Sequence, residues 1–385
     1  MEINAGEPKI LNYLHGVATK KKFPVSCNFE LTPRCNMNCK MCYIRKTEKE
    51  ISSTGKRERT AQEWIDLGSQ CRDAGTLFIL LTGGEPFLRP DFKEIYIALH
   101  EMGFMLSINS NATMIDEKIT KWLREYPPYR MNVTLYGSSN ETYARLCNNT
   151  KGFDQVMNGI HLLKDVGLSI KLNASLTPYN IQDLREMYDI AKRENLYIQA
   201  NTYMFPPIRK DESLFGYGDR FTAQEAAEYA VFVDQLRMDK ESYKEYVRGI
   251  HEGICANRDR DEECLRDQVE PLWCRAGRST CWINWDGIMT PCGLMNSPTA
   301  EPFEEGMLPA FRKITVETEK IRMPAKCTTC KNRFLCHVCG ASVQAETGGF
   351  LNEPEYVCKM TEMVAEQAEM LYDQLYQDGD EINED

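Results

Sequence analysis

Three cysteines, Cys35, Cys39 and Cys42, fall in one short run, RCNMNCKMCY. Three thiols are odd for disulfides and one short of a closed tetrahedral metal site. As thiolates they suit soft metals, and three of them can hold an iron–sulfur cluster that keeps one iron open to a small molecule. A second concentration follows far downstream. CRAGRSTCWINWDGIMTPC carries Cys274, Cys281 and Cys292; CTTCKNRFLCHVC carries Cys327, Cys330, Cys336 and Cys339; Cys358 comes last. CxxC pairs of this kind serve zinc ribbons as well as iron–sulfur clusters. Five more, Cys27, Cys71, Cys147, Cys255 and Cys264, stand apart and default to small buried hydrophobes or inert thiols. Cys27 precedes the three-cysteine loop closely enough to be a candidate hydrogen-atom donor.

Composition narrows the setting. The chain has 385 residues, 42% of them hydrophobic, enough for two domains or one large barrel with an appendage. No apolar run approaches the roughly 18 residues of a membrane span, and MEINAGEPKILNYLHG lacks a signal-peptide layout. The cytoplasm is the default compartment, with no membrane partner, and sixteen cysteines there are not disulfides. A net charge of −11 argues against nucleic acid as a partner, since phosphate binding wants a basic stripe. The acidic end, QDGDEINED, reads as a solvated tail.

Positioning elements come next. VSCNFELT, TLFILLTG, FMLSINSN, RMNVTLYG, LSIKLNASLT and LYIQANTYMF read as strands ending in turn residues. Between them lie helical stretches, such as the one carrying Phe153, Val156, Ile160 and Leu163 on one face. Asp91 and Asn180 stand at two helix starts as expected caps. Alternation of this kind implies parallel strands with helical crossovers, in a partial barrel or an open sheet. Ligands then sit beyond the C-terminal strand ends, where the three-cysteine loop belongs. Five segments are expected: an extension over 1–22, the strand–helix unit over 23–220, a helical linker over 221–270, a cysteine-rich unit over 271–360 and a helix with tail over 361–385. Residues 359 to 376 read as helix, with Val364, Ala368, Leu371 and Leu375 along one face. Regular periodicity almost vanishes between Pro271 and Cys358, so metal ligation is expected to hold that part together.

The CxxxCxxC loop directly after a first strand resembles that of the radical S-adenosylmethionine (SAM) enzymes, and further matches follow in order. LTGGEP is similar to the family's glycine-rich turn, which receives the methionine amino group of SAM. By that match Gly83 and Gly84 allow close backbone approach, Glu85 offers an acceptor to the ammonium, and Pro86 completes the turn. Asn111 in INSNAT stands at the family's strand-end Asn. VTLYGSSNETYARL resembles the ribose and carboxylate region, with Thr134 and Ser138 as polar contacts and Arg145 for the carboxylate. Met41 replaces the usual aromatic before the third cysteine and can pack against adenine instead.

The C-terminal cysteines resemble the SPASM extension of these enzymes, which carries two auxiliary [4Fe–4S] clusters. The resemblance places Cys274, Cys281, Cys292 and Cys339 on the first and Cys327, Cys330, Cys336 and Cys358 on the second. Gly287 matches a turn between two short strands. Cys336 and Cys339 are two residues apart where the family usually has three, and His337 between them would tune a cluster by hydrogen bonding. The implied whole is an α/β partial (β/α)6 TIM-like barrel with a cysteine-rich SPASM domain, binding SAM and three [4Fe–4S] clusters. The implied reaction transfers one electron to SAM, and the resulting 5′-deoxyadenosyl radical abstracts hydrogen from a substrate C–H bond. No catalytic side chain is assigned. Among SPASM enzymes the expected substrate is a peptide or protein, and the expected product a thioether or carbon–carbon crosslink. Alternatives are formylglycine formation in sulfatases and small-molecule oxidation in tetrapyrrole or quinone-cofactor assembly. Gly293 stands where the sulfatase-maturating enzymes have an Asp. Some 25 residues precede the first strand, too few for a leader-binding domain, so a separate leader-binding protein is expected. Flavodoxin or ferredoxin would supply electrons.

Overall fold

The computed structural model describes residues 9–258, 271–272 and 274–376. It opens with α1 (Lys9–Lys21), followed by β1 (Ser26–Glu30), α2 (Glu48–Ser53), α3 (Ala61–Asp73) and β2 (Phe78–Thr82). The alternation continues through α4 (Phe92–Glu101), β3 (Met105–Ser110), α5 (Glu117–Glu125), β4 (Arg130–Thr134), α6 (Asn140–Cys147) and α7 (Gly152–Asp165). β5 (Ile170–Ser175), α8 (Leu184–Arg193) and β6 (Tyr197–Asn201) complete the six expected strands. All six pair in parallel in chain order, as helical crossovers require. Val156, Ile160 and Leu163 of α7 are fully buried, as their spacing predicts.

Downstream lie α9 (Ala223–Arg237), α10 (Lys240–Arg258), β7 (Thr280–Ile283), β8 (Met289–Thr290) and α11 (Pro302–Glu305). The described chain ends with α12 (Met307–Lys320), α13 (Ala325–Thr329), α14 (Gly340–Thr347) and α15 (Glu355–Tyr376). Here the structure departs from the sequence-based expectation. β7 pairs in parallel with β1, so the cysteine-rich segment extends the same sheet to eight strands, ordered β6-β5-β4-β3-β2-β1-β7-β8. β8 returns antiparallel through a turn in which Gly287 has φ +91°, and a Cβ there would stand 2.5 Å from Arg59 Nε. The expected break in periodicity is also corrected. α12 buries Met307, Ala310, Phe311 and Ile314 in the barrel's own core, beside α3. A smaller core of Leu272, Met295, Ile321, Met323, Ala341 and Val343 lies under the cysteines.

Two caps behave differently from expectation. Asp91 makes no cap bond and instead pairs with Arg89 at 2.7 Å. Asn180 is fully buried, donating to Tyr136 O and Ser175 O at 2.9 and 3.0 Å, which ties the ends of β4 and β5 together. α15 starts earlier than expected and carries Cys358 in its first turn. α1 docks on the C-terminal segment through a buried His15 Nδ1 to Ser279 Oγ hydrogen bond of 2.8 Å. Among the described residues no helix is long and apolar enough to cross a membrane. Most of the charged connector before Pro271, with Cys264, lies outside the described residues.

Candidate active site

The three-cysteine loop leaves the C-terminal end of β1 and is held by its neighbours on two sides. On one side the glycine turn after β2 is bonded to it, Gly84 N to Thr32 O at 2.7 Å and Glu85 N to Arg34 O at 2.9 Å. A Cβ on Gly83 would come within 2.5 Å of Thr32 O, and one on Gly84 within 2.2 Å of Arg34 O. Both glycines are therefore demanded by the cysteine loop's own backbone, whereas the sequence resemblance attributes them to SAM. Arg34 is gripped bidentately by Glu58, with two bonds of 2.8 Å. On the other side, carbonyls at the C-terminus of α6, which have no partner inside the helix, accept from the loop. Asn38 N reaches Cys147 O at 2.9 Å and Lys40 N reaches Leu146 O at 3.1 Å.

Cys35, Cys39 and Cys42 line one cavity of about 800 Å³, with Met37, Met41, Gly83, Gly84, Asn111 and Thr134. Main-chain amides point at two of the sulfurs: Met37 N lies 3.4 Å from Cys35 Sγ, and Arg45 N lies 3.3 Å from Cys42 Sγ. Such donors favour thiolate, whereas burial, aided by Glu85 and the other two thiols, pushes Cys35 up to about 12. Cys39 is held below the usual thiol range chiefly by a hydrogen bond from the Cys147 thiol. The sequence carries no signal for Cys147, because its contact spans more than a hundred residues. A cluster whose irons take these three sulfurs one each would relieve the crowding of their charges. The donor set, its room and its N–H donors all fit such a group.

The residues expected around SAM divide. Gly83, Gly84, Asn111 and Thr134 face the cavity. Asn111 also bonds Asn36 Oδ1 at 2.9 Å and lies 3.7 Å from Cys35 Sγ, steadying the loop. Glu85 and Pro86 do not face the cavity. The Glu85 carboxylate is fully buried and accepts from Asn111 N at 2.8 Å, Ser110 Oγ at 2.9 Å and Phe87 N at 3.2 Å. It straps β2 to β3, so its assignment to the SAM ammonium is corrected. Pro86 opens a short 3-10 turn and is buried. Ser138 donates its main-chain N–H to Asp183 at 2.7 Å, and Arg145 donates to Tyr179 O at 2.9 Å, both outside the cavity wall.

Glu85 makes a pH prediction. Burial raises its carboxyl from an ordinary 4.5 to about 7, against three donors that favour the ionised form. A raised acid stabilises the fold fully below about 4.5 and loses that contribution as pH rises through about 7. Thermal unfolding of the iron-free chain should show stability falling between pH 5 and 8 by on the order of 3 kcal/mol from this group. Glu85→Gln should flatten that slope, and an unchanged slope would refute the assignment.

The C-terminal thiols form two sets. Cys327, Cys330, Cys336 and Cys358 line one small cavity of about 60 Å³, and Thr361 Oγ1 lies 3.4 Å from Cys336 Sγ. Burial, with the other thiols adding, pushes Cys327 up to about 12 and Cys358 up to about 11. Cys274, Cys292 and Cys339 form the second neighbourhood, in which burial first and the other two thiols next push Cys292 up to about 11. Cys339 caps α14, its sulfur accepting from Ser342 N at 3.5 Å. Cys281 is not among them. It is fully buried with its sulfur 3.5 Å from Cys27, and both lie in the core behind the sheet with Cys71. Its expected ligation of the first auxiliary cluster is corrected, as is the candidate role of Cys27 as a hydrogen-atom donor. His337 lines the large cavity. Among the described residues no three His, Cys, Asp or Glu side chains converge as ligands of one ion.

Residues 29–191 match the family described as the Radical SAM superfamily. An AdoMet-dependent heme synthase of Methanosarcina barkeri is 24% identical over 341 residues, which span 85% of this chain and 94% of that protein. The sporulation killing factor maturation protein SkfB of Bacillus subtilis is 22% identical, over 74% of this chain and 64% of its own. Streptococcus suis SuiB bound to S-adenosylmethionine superposes with a TM-score of 0.60 at 17% identity, covering 93% of this chain and 82% of SuiB. The enzyme anSMEcpe with bound AdoMet gives a TM-score of 0.64 at 16% identity, over 92% and 99%. These likenesses show the fold, an α/β partial barrel with the SPASM-type extension.

Proposed function

We propose that this radical SAM superfamily enzyme oxidises a peptide, forming a thioether or carbon–carbon crosslink. Cys35, Cys39 and Cys42 hold the SAM cluster, and Gly83, Gly84, Asn111 and Thr134 face bound SAM. When bound, SAM and its cluster supply a 5′-deoxyadenosyl radical for hydrogen abstraction. The chain's own contribution is to orient the target carbon and exclude water. The far wall suits both roles. Val233, Val357, Met360, Val364 and Leu335 are apolar, and Tyr203, Phe205 and Tyr246 add aromatic surface. Cys327, Cys330, Cys336 and Cys358 hold an auxiliary cluster that serves electron transfer, and a flavodoxin or ferredoxin supplies the electron that reduces the SAM cluster.

The observation that carries the substrate class is charge. The cavity wall holds no Lys or Arg among the described residues and one carboxylate, Asp234. A buried anionic ligand needs cationic partners, so this wall favours a neutral or cationic peptide segment. SuiB bound to the precursor peptide SuiA and anSMEcpe bound to the Kp18Cys peptide share the fold. Formylglycine formation is less favoured, since Gly293 supplies no carboxylate and a Cβ there would lie 2.6 Å from the Trp282 indole. A second reading, tetrapyrrole oxidation, is favoured by the heme synthase likeness along nearly the whole chain. Tetrapyrrole carboxylates, however, would meet no Lys or Arg on this wall among the described residues.

The test uses anaerobically reconstituted protein with SAM and dithionite, given short peptides encoded beside its gene or iron coproporphyrin. Peptide-stimulated 5′-deoxyadenosine, with a peptide lighter by two hydrogens, is expected. Stimulation by the tetrapyrrole alone would move the assignment to the second reading.

A further inference from the structure

The chain's acidity is not shared by the three-cysteine loop and the stretch that follows it. Residues 34–59 carry eight Lys or Arg against three Glu, on a chain of net charge −11. Four of the eight are spent on neighbours: Arg34 pairs with Glu58, Lys56 with Asp286, and Arg57 and Arg59 with Glu63. Lys40, Arg45, Lys46 and Lys49 make no ion pair among the described residues, and Arg45 Nε is buried without an acceptor. The exposed Lys210, in the segment after β6, joins them, since its carbonyl accepts from Lys46 Nζ at 3.4 Å. Three acids share this face, each already engaged. Glu50 accepts from Thr47 N at 2.6 Å to cap α2, Asp211 accepts from Ser213 N at 2.9 Å, and Glu48 stands 3.9 Å from Arg34. The cysteine loop itself is one chain thick. Asn36, Asn38 and Lys40 are exposed, while Cys35, Met37 and Cys39 alternate with them and line the cavity. The Arg45 charge reaches Cys39, and that of Lys210 reaches Cys42. A body resting on these cations would stand a single layer of backbone away from the three thiols.

Resting on the functional reading above, we infer that Lys40, Arg45, Lys46, Lys49 and Lys210 form the docking face for an acidic one-electron carrier protein. Carboxylates of the carrier pair with these cations, which speeds encounter and fixes its orientation against the loop. Arg45 offers a planar fork that suits a carboxylate. One electron then crosses the loop: the carrier is oxidised by one, the SAM cluster is reduced by one, and no bond forms or breaks.

The experiment uses the reconstituted full-length enzyme, with an acidic flavodoxin as the probe. Calorimetric titration of oxidised flavodoxin should find binding that weakens at least about tenfold from about 50 to about 300 mM salt. At the lower salt, Lys46→Glu/Lys49→Glu/Lys210→Glu should weaken binding by at least about tenfold. With limiting reduced flavodoxin as donor, 5′-deoxyadenosine formation by this variant should fall to match. Driven instead by reduced methyl viologen, a small cation, the variant should keep the unsubstituted rate. Salt-independent binding, or a variant that binds as tightly as the unsubstituted chain, would overturn the inference. So would an equal loss in Lys93→Glu/Lys118→Glu/Lys121→Glu, whose lysines are exposed on α4 and α5, because net charge alone would then be responsible. Should the triple variant fail to fold, Lys49→Glu/Lys210→Glu, at two exposed positions, decides. If methyl viologen yields no 5′-deoxyadenosine from the unsubstituted enzyme, the functional reading falls, while the flavodoxin titration still decides the docking face.

Discussion

Replacing Cys35, Cys39 and Cys42 together by alanine should reduce dithionite-driven 5′-deoxyadenosine formation to background and remove about four irons per chain. The physical basis is that one loop carries all three sulfurs to the large cavity, while Cys327, Cys330, Cys336 and Cys358 line a separate small one. The loop's scaffold does not depend on the sulfurs. Gly84 N to Thr32 O, Glu85 N to Arg34 O and the two α6 carbonyls are main-chain contacts. The variant should therefore fold, and the irons held near Cys292 and Cys358 should remain. Iron analysis with quantification of 5′-deoxyadenosine checks both halves. An unchanged rate would show that another group cleaves SAM, and loss of every iron would show that the C-terminal sets depend on the loop.

Arg209→Ala should lower stability by about 3–5 kcal/mol, because it strands a buried carboxylate. Glu30 is fully buried at the end of β1, and the Arg209 guanidinium grips it bidentately at 2.7 and 2.8 Å. The same guanidinium donates to Gly293 O at 2.9 Å, and Trp282 gives Glu30 its further donor. One ion pair thus joins β1, β7, the segment after β6 and the residue following Cys292. Without Arg209 the indole N–H alone faces a desolvated charge. Calorimetry should find the unfolding temperature lower by on the order of 5 °C or more. Adding Glu30→Gln should recover part of that loss, since it removes the charge whose burial causes it. If the double variant is no more stable than Arg209→Ala, the penalty arises from lost packing.

Much of the fold was legible because its signals are local. Six short β-rich runs between amphipathic stretches predict β1 through β6, since a strand's apolar pattern and a helix's period are each written within a few residues. α12 was missed because the cysteines around it drew the segment toward a metal-held reading, although Phe311 and Ile314 pack in the core as any amphipathic helix would. Glu85 was read from the turn alone. Its partners Ser110 and Asn111 come from another strand end, and they claim the carboxylate that the turn offered to a ligand.

By itself the sequence determined the chemistry that could occur. Three thiols on one loop must act together, because the chain between them is too short to separate them. CxxC pairs likewise keep their sulfurs close in whatever fold carries them. Tertiary structure alone decided which thiols meet across long separations and which way each one points. Cys281 is a ligand by spacing and a core residue by register, because β7 pairs with β1 about 250 residues away. A side chain's face on a strand depends on that partner, and nothing within the strand records it.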